Sequence, residues 1–179
     1  MQICVYGAAS DQIDPAYLEA GEALGLGLAR RGHGLVFGGG QTGLMGAVAR
    51  GVVRGGVQLT GVAPRFFDRP GVLYDGCTRF IFTETMRERK SIMEEQAAAF
   101  VMTPGGIGTF EEFYEILTLR QLGRHQKPIA MLNTRDYYAP LLQMQVQAMA
   151  QGFLQPECAN LFAAFDEPTG LLDYLEANI

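Results

Sequence analysis

The chain is short of basic charge: 14 Lys and Arg stand against 19 Asp and Glu, a net of −5 at pH 7. That balance excludes a general affinity for nucleic acid or an anionic membrane surface, so any anionic ligand must be met by local groups. Only two of the cations are lysines, Lys90 and Lys127, and neither stands in a Gly-Lys-Ser or Gly-Lys-Thr sequence. The phosphate loop of nucleoside triphosphatases is therefore missing. Cysteines number three, Cys4, Cys77 and Cys158. Odd in number and widely spaced, they exclude a metal knuckle or redox pair and fit a reducing, cytoplasmic setting. Cys4 falls inside an apolar strand and is expected in the core. There is no basic leader and no long apolar span, so neither export nor membrane insertion is expected. Repeats, low-complexity segments and a Pro/Gly-rich linker are also lacking.

What is present is enough apolar material for one core. Hydrophobic residues make up 48% of 179 and charged residues 18%, which fits a single domain over residues 1–179. Strand and helix signals alternate from end to end, arguing for a parallel sheet with helices on both faces. Strands are expected near residues 3–6, 35–37, 58–62, 79–82, 99–102 and 128–132, with a weaker one near 161–164. Asp14 caps a helix whose first residue is Pro15 and which ends near Gly32, with Tyr17, Leu18, Leu24 and Leu28 as its apolar stripe. Further helices are expected over residues 43–54, 84–98, 109–122, 137–151 and 168–177.

In such a sheet, ligands sit beyond the carboxyl ends of the strands. Three glycine-bearing loops lie there: residues 7–10, residues 38–46 (GGGQTGLMG) and residues 104–109. The second is not a dinucleotide fingerprint, because it follows the second strand and no acidic residue stands about 20 positions on. It serves either a ligand or close helix–strand packing. The third opens PGGIGTFEE, residues 104–112, in which an apolar strand runs through a glycine turn into a helix start. Free N–H groups at such a start suit a phosphate, yet Glu111 and Glu112 would repel it unless cations are near. Thr109 with Glu112 also matches a capping box, a purely local reason for both residues. Upstream, MRERK (residues 86–90) sets Arg89 between Met86 and Met93 on one helix face. This run is either a solvated charged face paired with Glu88 and Glu94, or a fork of donors for a carboxylate or phosphate.

GGGQTGLMG, MRERK and PGGIGTFEE occur in the order and spacing of the LONELY GUY family, the cytokinin riboside 5′-monophosphate phosphoribohydrolases long mislabelled as lysine decarboxylases. The resemblance spans nearly the whole chain and extends to QLGRHQKP (residues 121–128), to Leu132, Asn133, Tyr137 and Tyr138, and to Gly152 and Phe153. One departure stands out: the family pattern MHxRK carries Arg87 in place of its His.

The resemblance implies a Rossmann-like three-layer α/β/α fold, a homodimer with sites near the interface, and no metal or organic cofactor. It maps the essential arginine and glutamate onto Arg89 and Glu112. The expected reaction is hydrolysis of the N-glycosidic bond of an adenosine 5′-monophosphate type nucleotide, giving free base and ribose 5-phosphate. Gly105, Gly106, Gly108 and Thr109 are then expected on the 5′-phosphate, and Gly39 and Gly40 on the far side of the nucleotide. Met86 and Arg87 are expected near the base, with Lys90 a further binding residue. Glu112 would face the anomeric carbon, where a carboxylate stabilises the positive charge of an oxocarbenium-like transition state. Two rivals accompany this reading. One is a nucleotide or molybdenum-cofactor carrier without turnover, which shares the glycine-rich loops; the other is a lysine decarboxylase, which would need a lysine Schiff base with pyridoxal.

Overall fold

A computed structural model describes all residues from 1 to 179. Seven strands form one parallel sheet: β1 (Gln2–Tyr6), β2 (Gly34–Phe37), β3 (Leu59–Pro64), β4 (Arg79–Thr83), β5 (Ala99–Met102), β6 (Ile129–Leu132) and β7 (Ala163–Phe165). Six helices connect them: α1 (Pro15–Arg30), α2 (Gly43–Gly55), α3 (Met86–Gln96), α4 (Ile107–Gln121), α5 (Ala139–Ala150) and α6 (Pro168–Asn178). The spatial order is β4-β3-β2-β1-β5-β6-β7. From β1 the chain works outward to β4, then returns across the sheet to lay β5 on the other side of β1. The crevice between β1 and β5 is thus the topological switch point, where this class of sheet binds its ligands. This is the three-layer, doubly wound α/β architecture expected from the sequence.

Strand residues alternate between two apolar layers. Ile3, Val5, Leu35, Phe37 and Val101 pack against Leu24 and Leu28 of α1, Val48 and Val52 of α2, and Leu171 and Leu175 of α6. Cys4, Tyr6, Val36, Phe100 and Met102 face the other way, against Met93 of α3 and Phe113 and Ile116 of α4. Cys4 is fully buried, as expected, and burial pushes its thiol pKa up to about 12. Asp14 does cap α1, accepting a hydrogen bond from the Ala16 amide at 2.9 Å, and the helix ends at a left-handed Gly32. The chain contains no helix long and apolar enough to cross a membrane.

Boundaries shift where pairing decides them. The strand expected over residues 58–62 runs from Leu59 to Pro64, because β4 pairs with Thr60 through Pro64. The helix expected from residue 84 begins at Met86, since the Thr85 side chain accepts the Glu88 amide while Glu88 reaches back to the Glu84 amide at 2.9 Å. That is the reciprocal logic of a capping box. The helix expected over residues 137–151 is Ala139–Ala150, entered through a 3₁₀ turn at Thr134–Asp136. The weak seventh strand begins two residues later than expected and ends one later, at Ala163–Phe165, where it pairs with Ala130 through Leu132.

Helices α1 and α2 approach so closely that glycine is required between them. A β-carbon on Gly25 would fall 2.1 Å from the Val48 carbonyl oxygen, and one on Gly51 2.3 Å from that of Glu22. Alanine at position 25 would gain about 1 kcal/mol of helix propensity, but it meets backbone, which cannot swing aside. Gly25→Ala is therefore expected to destabilise the fold by about 1–3 kcal/mol, seen as a lower urea midpoint with an unchanged slope.

Candidate active site

Beyond the carboxyl ends of β1, β2 and β5 lies a cavity of about 550 Å³. The loop after β1 contributes Gly7 to Ser10, the loop after β2 contributes Gly38, Gly40 and Thr42, and the start of α4 contributes Gly106, Gly108 and Thr109. The three glycine-bearing loops do form one floor. They are tied together by hydrogen bonds. The Thr42 hydroxyl donates to the Ala9 carbonyl at 2.6 Å, Asp11 accepts the Gly43 amide at 2.6 Å, and the Ala8 amide donates to the Pro104 carbonyl at 3.1 Å.

Two helices on the same face of the sheet bring opposite charges into this cavity. Arg89 of α3 and Glu112 of α4 are 6% and 8% exposed, and Nη1 of Arg89 donates to Oε1 of Glu112 at 2.6 Å. Arg89 Nε donates to the Val62 carbonyl near the end of β3 at 3.1 Å. The guanidinium passes over Gly38, where a β-carbon would lie 2.1 Å from Nη2. Burial pushes the Glu112 pKa above its ordinary value, against the pull of the Arg89 charge. Arg89 is thus neither solvated nor paired with Glu88 or Glu94; its helix face looks into the site.

The capping box expected between Thr109 and Glu112 is absent. Helix α4 begins two residues earlier, at Ile107, and is capped by Gly106 without a side-chain hydrogen bond. This places Glu111 and Glu112 beyond the first turn. The glycines allow it: the Thr109 hydroxyl lies 2.1 Å from where a Gly105 β-carbon would be, so the turn closes against Thr109 only because position 105 is bare. The amides of Ile107, Gly108 and Thr109 precede the first residue with an intrahelical acceptor and remain available for an anion.

The remaining expected residues are placed as follows. Met86 lines the cavity and Arg87 is exposed on the first turn of α3. Lys90 lies outside the lining and pairs with Glu111 and with Glu115, the latter at 2.7 Å. One residue step turns about 100° around a helix, which carries Lys90 away from the face that Arg89 uses. Burial works against the Lys90 charge, but its two carboxylate partners outweigh that and raise its pKa. Gly39, with φ +75°, backs onto the Phe80 ring, and its carbonyl accepts the Tyr74 amide at 2.9 Å.

A strap between β3 and β4 completes the cavity. It pairs Leu73 with Gly40 in an antiparallel bridge and carries Phe67, Val72 and Leu73 over the outer end of the cavity. No motif marks it; the turn signal Pro70-Gly71 after two adjacent phenylalanines was the one visible hint. No group of three or more His, Cys, Asp or Glu side chains is placed to hold a metal ion.

Residues 45–175 match a family described as "Possible lysine decarboxylase". The chain is 36% identical over 173 residues to a rice protein named "Probable cytokinin riboside 5′-monophosphate phosphoribohydrolase LOGL3", covering 97% of this chain and 82% of that one. It is 40% identical over 141 residues to the cytokinin riboside 5′-monophosphate phosphoribohydrolase of Rhodococcoides fascians, covering 78% and 71%. Among solved structures, the molybdenum cofactor carrier protein of Chlamydomonas reinhardtii superposes with a TM-score of 0.72 at 21% identity, covering 98% of this chain and 96% of that one. That likeness is one of fold alone. By sequence along nearly its whole length, the chain belongs to the LONELY GUY family of cytokinin riboside 5′-monophosphate phosphoribohydrolases, the group also described as possible lysine decarboxylases.

Proposed function

We propose that the protein hydrolyses the N-glycosidic bond of adenosine 5′-monophosphate type nucleotides, AMP or its N6-substituted cytokinin relatives, releasing the free base and ribose 5-phosphate. The observation that carries this reading is the buried Arg89–Glu112 pair standing over the open amides of α4 in one cavity. The 5′-phosphate sits on the amides of Gly106, Gly108 and Thr109 and on the Thr109 hydroxyl, with Gly105 giving that hydroxyl its room. Three residues along α4, a rise of about 4.5 Å, Glu112 then faces the anomeric carbon across the ribose.

The C1′–N bond breaks with its electron pair leaving on the base, which takes up a proton, and water adds to C1′. Oε1 of Glu112 is held by Arg89, leaving Oε2 to orient the water and accept its proton. The carboxylate also opposes the positive charge that develops at C1′. Arg89 positions Glu112 and keeps it ionised despite burial. Lys90 acts on the phosphate indirectly, by offsetting one of the two negative charges of Glu111 and Glu115, both of which it pairs with. Gly40 shapes the far wall, with Gly39 behind it against Phe80 and outside the lining, and Met86 lies toward the base. The three unpaired cysteines accord with a reducing, cytoplasmic compartment.

The active form is a homodimer. Helix α5 has no buried residue, and Met144, Val146 and Phe153 are exposed, Phe153 to 80%. Between α4 and α5 runs an apolar groove of about 350 Å³ lined by Tyr114, Leu117, Met144, Met149, Phe153 and Leu161. A second copy of the chain covers this surface.

Three outcomes are expected. Glu112→Gln keeps the shape and the Arg89 contact but removes the charge, and should lower turnover of AMP by at least ~10²-fold; ribose 5-phosphate release near the wild-type rate would take Glu112 out of the mechanism. Because the ionised form of Glu112 is required and its pKa is raised, activity should fail earlier than usual as pH drops. The acid limb of kcat/KM is expected above the ordinary 4.5 of a glutamate, and a limb at or below that value would count against this assignment. Finally, Met144→Glu together with Phe153→Glu should convert a dimer to a monomer by light scattering; a monomeric wild type would refute the assembly.

A further inference from the structure

We infer that Tyr137 and Tyr138 are positioning residues for the anion-binding turn, each holding one of its carbonyl groups away from the ligand. A turn that receives a phosphate must present N–H groups and withdraw its C=O groups, whose partial negative charge would repel the anion. Around Pro104 every carbonyl is occupied. The Tyr138 hydroxyl donates to the Thr103 carbonyl at 2.7 Å, the Ala8 amide donates to the Pro104 carbonyl at 3.1 Å, and the Tyr137 hydroxyl donates to the Gly105 carbonyl at 2.7 Å. With these three fixed, the peptide planes leave the amides of the α4 start facing the cavity.

The segment that delivers the two hydroxyls is itself strained and pinned. Arg135 and Asp136 both have φ near +55°, and they are the two non-glycine residues of the chain in the left-handed region. Such conformations persist only where surroundings enforce them, and they cluster at functional sites. Here the enforcement is visible. The Asn133 side chain accepts the Tyr138 amide at 2.7 Å, the Asp136 amide donates to the Asn133 carbonyl at 3.0 Å, and Arg135 pairs with Asp14 at the start of α1. A relaxed path would carry the tyrosines away from the turn. Tyr138 is 1% exposed and stacks edge-on against Tyr137, whose ring also meets Tyr17. Burial raises the Tyr138 pKa far above its ordinary value, so the phenol stays a donor.

This role rests on the reading of the α4 start as a phosphate site, and its test separates the two. Ribose 5-phosphate binding is measured by calorimetry for the wild type, Tyr137→Phe and Tyr138→Phe, alongside kcat/KM for AMP and for adenosine, which lacks the phosphate. Each variant should bind ribose 5-phosphate about tenfold more weakly, the net worth of one hydrogen bond, and lose a similar factor on AMP but not on adenosine. A merely structural role would depress AMP and adenosine together. Ribose 5-phosphate affinity within twofold of wild type in a folded Tyr137→Phe overturns the inference, and the partial exposure of that side chain makes it the variant least prone to unfold. Wild-type protein that binds ribose 5-phosphate without cleaving AMP counts against the hydrolase reading alone. If the wild type binds no ribose 5-phosphate, the anion site and the positioning role fall together.

Discussion

Two opposite charges taken out of water set the terms for this molecule. Arg89 and Glu112 are both nearly inaccessible, and each would cost several kcal/mol to desolvate alone. Their mutual contact offsets part of that cost, but the rest of the local structure is arranged to complete it. The Val62 carbonyl takes a second guanidinium donor. Gly38 leaves the space through which the guanidinium passes. Met93 and Phe113, one on each helix, bury against the sheet and fix the helices from which the two charges project. A pair of packed apolar side chains in the same place would stabilise the fold as well or better. The physical case for a functional site is that the structure tolerates the more costly choice at the switch point of its sheet.

The fold makes this arrangement possible through connectivity. Because β5 returns to the side of β1 opposite β2, the loops after β1, β2 and β5 open onto the same crevice. Their glycines do two kinds of work. Gly43, with φ +63°, lets the chain enter α2 where a β-carbon would strike the Ala8 carbonyl oxygen at 2.4 Å, so the first two loops can touch. Gly105 lets the third loop close on Thr109. Hydrogen bonds donated by the Thr42 hydroxyl and the Ala8 amide, and one accepted by Asp11, then lock the loops to one another, so the floor is built before a ligand arrives. Such preorganisation places the cost of ordering in the folding step and not in binding.

Much of this was legible in the residue pattern, and the failures have physical causes. The parallel sheet followed from alternating apolar runs and amphipathic stretches, and the three loops from glycine placed after strands. The Thr109–Glu112 capping box was misread because its spacing is real but the helix starts two residues sooner. Glu112 gives its carboxylate to Arg89, and a box-like pair is found instead at Thr85 and Glu88, where Glu88 accepts the amide of Glu84, the residue before the cap. A local rule could not see a partner 23 residues away. Helical rotation by itself sets Lys90 apart from Arg89 as the weaker binding candidate, and the structure turns it to Glu111 and Glu115 instead of the cavity. The strap over the cavity mouth and the tyrosine hydroxyls on the PGG turn depend on contacts distant in sequence, so no local period or motif announces them. Asp11 shows the same limit: it satisfies the Gly43 amide at the start of a helix in another segment.

Charge balance closes the account of how a chain of net −5 can present a site for an anion. The carboxylates of α4 nearest its start are each matched by a cation from α3: Glu112 by Arg89, Glu111 by Lys90. On the proposed reading, the N-terminal amides then meet a phosphate against a much reduced opposing field, with the shared Lys90 leaving only one carboxylate charge of Glu111 and Glu115 uncompensated. The two pairs differ in burial, and the difference separates their roles. Lys90 and its exposed carboxylate partners are screened by water and contribute little beyond a partial charge balance. The buried pair is unscreened, and Glu112 carries a raised pKa because its charge is incompletely compensated. A ground-state ribose offers that carboxylate no positive charge, whereas an oxocarbenium does. On the proposed reading, the deficit left by burial is thus relieved most as the C1′–N bond breaks, which is the differential that would turn binding into catalysis.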